Sequence, residues 1–147
     1  MEIFSDEYFM QEALKEADLA LEEDEVPIGA VVVAKKRIIG RGHNQTERLN
    51  DVTAHAEMIA ITSAANYMGG KYLSECTLYV TLEPCPMCAA ALNWAQIGSI
   101  IYGARDVRRG FTGYTPSLIH PKTIVKAGFF EQECLALVQN FFRTKRR

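Results

Sequence analysis

Apolar positions recur along this chain in two rhythms, and each change of rhythm marks an element. Met10, Ala13, Leu14, Ala17, Ala20 and Leu21 fall at helical spacing, which predicts a helix capped by Ser5 and running to about Glu23. Val26-Pro27 closes it, because a residue before proline avoids helical backbone. Ile28 to Ala34 and Arg37 to Arg41 read as two strands around a turn at Lys35-Lys36. A polar loop from Gly42 to Thr53 follows, then a helical stretch from Ala54 to Tyr67 that Gly69-Gly70 stops. Cys76 to Glu83 is rich in strand formers, and Pro86 to Gln96 reads as a helix with proline at its first position. Ser99 to Gly103 is a further strand, Thr123 to Ala127 the last, and Phe129 to Lys145 a closing helix.

That order predicts an α/β fold: a mixed five-stranded sheet between helix layers, three layers as α-β-α. With 147 residues, no repeat and no linker, residues 1–147 are expected to form one domain. The segment from Ala104 to Thr123 is long for a connection, and long loops in compact domains carry function. Phe111, Tyr114 and Leu118 give it side chains with which to pack.

Composition narrows the classes. The chain is 48% hydrophobic and 23% charged, within the globular range. Its longest apolar run, Ile28 to Ala34, is far short of the roughly 20 residues of a spanning helix. The start, Met1 to Glu7, lacks a basic and apolar leader, so a cytoplasmic location and no membrane are expected. Four cysteines in a reducing compartment point to metal binding or catalysis. The net charge of −2 is uneven: residues 1–100 hold 7 Lys or Arg against 15 Asp or Glu, and residues 101–147 hold 9 against 3. The basic end comprises Arg105, Arg108, Arg109, Lys122, Lys126, Arg143, Lys145, Arg146 and Arg147, which fits a local polyanion footprint or a solvated helix end.

The sharpest chemistry lies in His55-Ala56-Glu57 together with Pro84-Cys85-Pro86-Met87-Cys88. One imidazole and two thiolates suit zinc and leave the fourth tetrahedral position to water. Cys85 and Cys88 are three apart at a predicted helix start, so both sulfurs can face one point, and the positive helix end favours thiolate. His55 and Glu57 can share a site only if their helix begins at His55. Two thiolates make the zinc a weaker Lewis acid than three histidines would, so its water needs a proton acceptor. Glu57 can take that role and carry the proton onward to a departing amine, which is hydrolytic deamination. A structural zinc or a redox-active Cys-x-x-Cys is the bland alternative. Cys76 lies at the far end of the strand leading to Glu83, and Cys134 reads as a core residue. His43 and His120 read as loop residues, His43 beside the suspected pocket.

From about Asp6 to Arg143 the chain resembles zinc-dependent deaminases of the cytidine-deaminase-like fold, nearest the bacterial tRNA adenosine deaminases. Besides the zinc motif, the resemblance is carried by Glu25 to Ala30, Asn44, Thr53 to Glu57, Thr77 to Glu83, Tyr102-Gly103-Ala104-Arg105-Asp106 and the Phe141-Phe142-Arg143 tail. It implies one zinc ion per subunit held by His55, Cys85 and Cys88, with zinc-bound hydroxide as nucleophile and Glu57 as proton shuttle. It further implies substrate contacts from Asn44, Val26, Ala56 and Asp106, a homodimer, and conversion of adenosine to inosine at the wobble position of a tRNA anticodon loop. Single-stranded loop bases enter a pocket at lower unstacking cost than duplex bases. Pro86 with Trp94-Ala95 is also similar to bacterial guanine deaminases, so a free nucleobase or nucleoside deaminase of guanine or cytosine type is the alternative. A non-catalytic RNA-binding subunit is a third, against which Glu57 speaks.

Overall fold

The computed structural model describes residues 4–145; Met1 to Ile3 and the last two cations, Arg146 and Arg147, lie outside the described residues. Four α-helices and five strands follow one another as α1 (Asp6–Glu22), β1 (Gly29–Ala34), β2 (Arg37–His43), α2 (Ala56–Met68), β3 (Thr77–Leu82), α3 (Pro86–Ala95), β4 (Ser99–Ala104), β5 (Ile124–Ala127) and α4 (Glu131–Lys145). A single 3-10 turn, Phe111–Gly113, interrupts the long connection before β5. The sheet runs β2-β1-β3-β4-β5. β1 is antiparallel to β2 and β3, whereas β3, β4 and β5 are mutually parallel.

Local chemistry accounts for most boundaries. The Ser5 hydroxyl accepts from the Tyr8 N–H and caps α1. Lys35 and Lys36 both have positive φ (50° and 61°), which makes the β1–β2 turn tight. Gly69 at φ 72° ends α2, and Pro86 opens α3.

Alternation along β1 feeds two cores. Ala30 and Val32 join Leu78, Val80, Ile100 and Tyr102 beneath α2 and α3. Val31 and Val33 join Tyr79 and Ile101 beneath Phe9, Met10 and Ala13 of α1. The α2 contact is close because small residues meet. A Cβ at Gly40 or Gly42 would overlap the backbone of α2 at Ala60 or Ala56. That approach brings the start of α2 down to the end of the sheet where β3 and β4 finish, and ligand sites of parallel sheets form outside those ends.

The structure moves several sequence expectations. β2 continues to His43 rather than Arg41, since Gly42 and His43 pair with Ala30 and Gly29. α1 leaves Leu21 exposed and buries Phe9, Glu12 and Glu16 instead. The acidic pair stays buried because Glu12 and Glu16 bind Arg41, and Glu16 also contacts His43. In the long connection Phe111 is buried and Leu118 packs on the core, while Tyr114 is exposed.

Candidate functional site

His55 is the N-cap of α2 and Cys85 the N-cap of α3, so two helix N-termini point at one place. The Nδ1 of His55 lies 3.6 Å from Cys85 Sγ and 3.4 Å from Cys88 Sγ. These three ligand atoms all fall within 4.8 Å of one another, and among the described residues no fourth His, Cys, Asp or Glu joins them. Soft sulfurs with one imidazole fit zinc, and three ligands leave a tetrahedral position open. Cys76 and Cys134 are buried and free elsewhere, Cys76 before β3 and Cys134 on α4 with its thiol donating to the Phe129 carbonyl.

Electrostatics favours one thiolate and one thiol at this group. Cys85 accepts from the Cys88 thiol and faces His55, which together hold it down at about 4, a thiolate at neutral pH. Cys88 donates that bond and is buried beside Glu57, so its proton is held more tightly than usual. His55 is pushed up, first by its hydrogen bond to Cys85. Glu57 is 4% exposed in the first turn of α2, and burial pushes it up to about 7.

Around this group opens a cavity of about 960 Å³. Its apolar lining combines Val26, Ile28 and Leu82 with Leu135, Val138 and Phe142 of α4, and His55, Glu57 and Cys85 also face it. Asn44 also lines it. Its Oδ1 accepts from the Ala56 N–H at 2.9 Å, which fixes the amide and leaves the NH₂ to donate. Ala56, expected to touch substrate, is wholly buried, and its N–H is used on Asn44. Asp106 lies at the rim, where its Oδ1 accepts from the backbone N–H groups of Arg108 and Arg109. His43 is absent from the lining. It ends β2 with its two ring nitrogens each 3.1 Å from a carboxylate oxygen, of Glu16 and of Glu23.

The chain matches the family model described as the cytidine and deoxycytidylate deaminase zinc-binding region, over residues 4–104. The chain belongs to that family. It is therefore a zinc-dependent deaminase, and His55, Cys85 and Cys88 are the described group able to hold the metal. Among curated members it is 46% identical over 144 residues to a tRNA-specific adenosine deaminase of Agrobacterium fabrum, covering 95% of both chains. A solved structure from work on A-to-I editing by tRNA:A34 deaminases at the wobble position superposes with a TM-score of 0.83 at 45% identity, over 88% of this chain and 98% of that one. The guanine deaminase of Bacillus subtilis is further off, with a TM-score of 0.66 at 38% identity over 69% and 65%. Trp94, which resembles that branch, is 82% exposed and lies beside Tyr72, Asn93, Gln96 and His120 on a separate small hollow, outside the large cavity.

Two features of the deaminase site escaped sequence reasoning. Four of the nine basic residues in the C-terminal part, Arg105, Arg108, Arg109 and Arg143, line this cavity together with Phe142. α4 therefore supplies a wall of the site, for which the sequence signals were its basic end and the Phe141-Phe142-Arg143 tail. The second is Glu83, a buried carboxylate just beyond β3.

Proposed function

We propose that this deaminase converts adenosine to inosine at the wobble position of a tRNA anticodon loop. The observation that carries the reading is the cavity itself. About 960 Å³ exceeds what a free base needs, and its lining sets four arginines beside apolar residues of α4 such as Leu135 and Phe142. Arginines at the mouth suit phosphates flanking a splayed nucleotide. A free-base enzyme has no use for them.

The chain's own residues divide the work. Val26, Ile28 and Leu82 pack against the base, and the NH₂ of Asn44 donates to an acceptor on the nucleoside. Zinc, when bound by His55, Cys85 and Cys88, supplies an electrophilic centre that activates water. Glu57, poised near neutral, takes one proton from the attacking water and passes it to the ring nitrogen, then takes the second proton from the added hydroxyl and passes it to the departing amine as the carbonyl forms. Asp106 braces the arginine turn beside the neighbouring nucleotide.

Two further expectations belong to this reading. Thiolate ligands and a tRNA substrate fit a cytoplasmic site, and among the described residues no helix is long and apolar enough to cross a membrane. A homodimer would cover the exposed Tyr67, Met68, Tyr72 and Trp94, which sedimentation can test. Function is tested by incubating the zinc-loaded enzyme with an anticodon stem-loop RNA and, separately, with free adenosine, guanine and cytosine. Inosine in the RNA is expected. Turnover of guanine or cytosine without RNA activity would overturn the assignment.

A further inference from the structure

Just beyond β3, the Glu83 side chain is buried, and it accepts three hydrogen bonds from one segment. The Asp106 N–H donates to Oε1 at 3.1 Å; the Thr112 N–H and hydroxyl donate to Oε2 at 2.9 and 2.7 Å. No ion pair among the described residues includes it, so these donors are what compensates the buried carboxylate. Between the two anchors the chain turns back. The Gly110 N–H donates to the Asp106 carbonyl at 2.8 Å, and the Phe111 N–H to the Pro84 carbonyl at 3.0 Å. Gly110 lies so close to Glu83 that a Cβ there would overlap the carboxylate. The segment closed in this way carries Arg105 at its entry and Arg108 and Arg109 at its tip, all three exposed and facing the cavity.

We infer that Glu83 is a positioning residue for substrate capture. It pins both ends of the arginine segment, so that Arg105, Arg108 and Arg109 meet phosphates at the cavity mouth. This rests on the proposed RNA substrate, and it acts on binding rather than on deamination. A glutamine cannot replace it, because one end of its amide is a donor and would face the N–H of Asp106 or of Thr112. Loss of an anchor frees the segment, and the ordering cost then falls on RNA binding.

Three variants test this: E83Q, T112V, which removes one donor, and G110A, which displaces the carboxylate while leaving residue 83 in place. Zinc content, KM and kcat on anticodon stem-loop RNA, and the salt dependence of RNA affinity are measured for each. KM is expected to rise about tenfold in E83Q and G110A and about threefold in T112V, with kcat falling far less. The slope of log affinity against log salt should flatten by about 0.7 for each phosphate that the freed arginines no longer neutralise. Zinc-loaded variants with wild-type KM and slope overturn the inference. So does a joint fall of kcat and zinc content at constant KM, the pattern of a purely structural role. Should E83Q fail to fold, G110A and T112V decide by the same criteria. A wild-type enzyme lacking salt-dependent RNA capture defeats the proposed function and this inference together; capture by wild type and variants alike defeats the inference alone.

Discussion

The two ends of the cavity are built on opposite principles. At the inner end the ligating and proton-handling groups sit at the starts of α2 and α3, with Glu57 and Cys88 buried, α2 seated on the glycines of β2 through its alanines and α3 packed on the core through Ala89, Leu92 and Ala95. At the outer end the working groups are exposed arginines on an irregular segment and on α4. A reaction centre needs groups held to within fractions of an ångström in a dry site, which rigid elements provide. Phosphate recognition tolerates more play and needs water-exposed charge, so a segment held by a few backbone hydrogen bonds suffices. Mutations at the two ends should therefore separate chemistry from capture.

The sharpest break is at the inner end. Glu57→Ala should lower kcat at least about 10²-fold while leaving zinc content intact, as single-turnover inosine formation and metal analysis will show. Cys85→Ser should lose metal and thermal stability together, because the ligands tie α2 to α3; unchanged zinc content would contradict the shared site. Asn44→Ala removes the acceptor of the Ala56 N–H and a donor to substrate at once. The cost of an orphaned buried N–H is about 1–3 kcal/mol, so a loss of about tenfold or more in kcat/KM is expected.

Milder effects belong to the outer end. Arg143→Ala should raise KM for RNA a few-fold and reduce the salt slope by about 0.7, leaving kcat and zinc untouched. A kcat defect there would erase the division between the ends. The smallest effect is expected away from both, at Glu12, whose carboxyl is held below its ordinary 4.5, first by the hydrogen bond from Lys15 and then by that from Arg41. With the folded value lower than the unfolded one, its contribution is fully present above about 4.5 and fades as pH falls through the folded value. Glu12→Gln should thus cost about 1 kcal/mol or less at neutral pH and nothing in strong acid, read from urea melts at both pH values.

How much was legible in the chain follows from how local each feature is. His55 and Glu57 sit within one turn and Cys85 and Cys88 within another, so spacing and helix-start chemistry brought them to one place, although α2 starts at Ala56 with His55 as its N-cap, two residues later than the expected Ala54. Element order was legible for the same reason, with errors confined to ends such as the added residues of β2, where pairing with β1 rather than composition sets the limit. The misplacement of Leu21 and the unexpected burial of Glu12 and Glu16 have a different origin. Their surroundings include Arg41 and His43, supplied by a distant strand that periodicity along α1 does not register.

The arginines illustrate the boundary. Their number and their bias to the C-terminal part were plain from the residues, yet Arg105 and Arg143 become neighbours of one cavity only because α4 returns across β4 and β3. Glu83 is similar: a lone carboxylate after a strand says nothing until the fold brings Asp106 and Thr112 to it. Metal chemistry, helix-capped ligands and the order of elements could be read from the residues alone, since they depend on neighbours a few positions apart. Which charges face the substrate, and what holds them there, became visible only in the folded chain, because those interactions join segments that lie tens of residues apart.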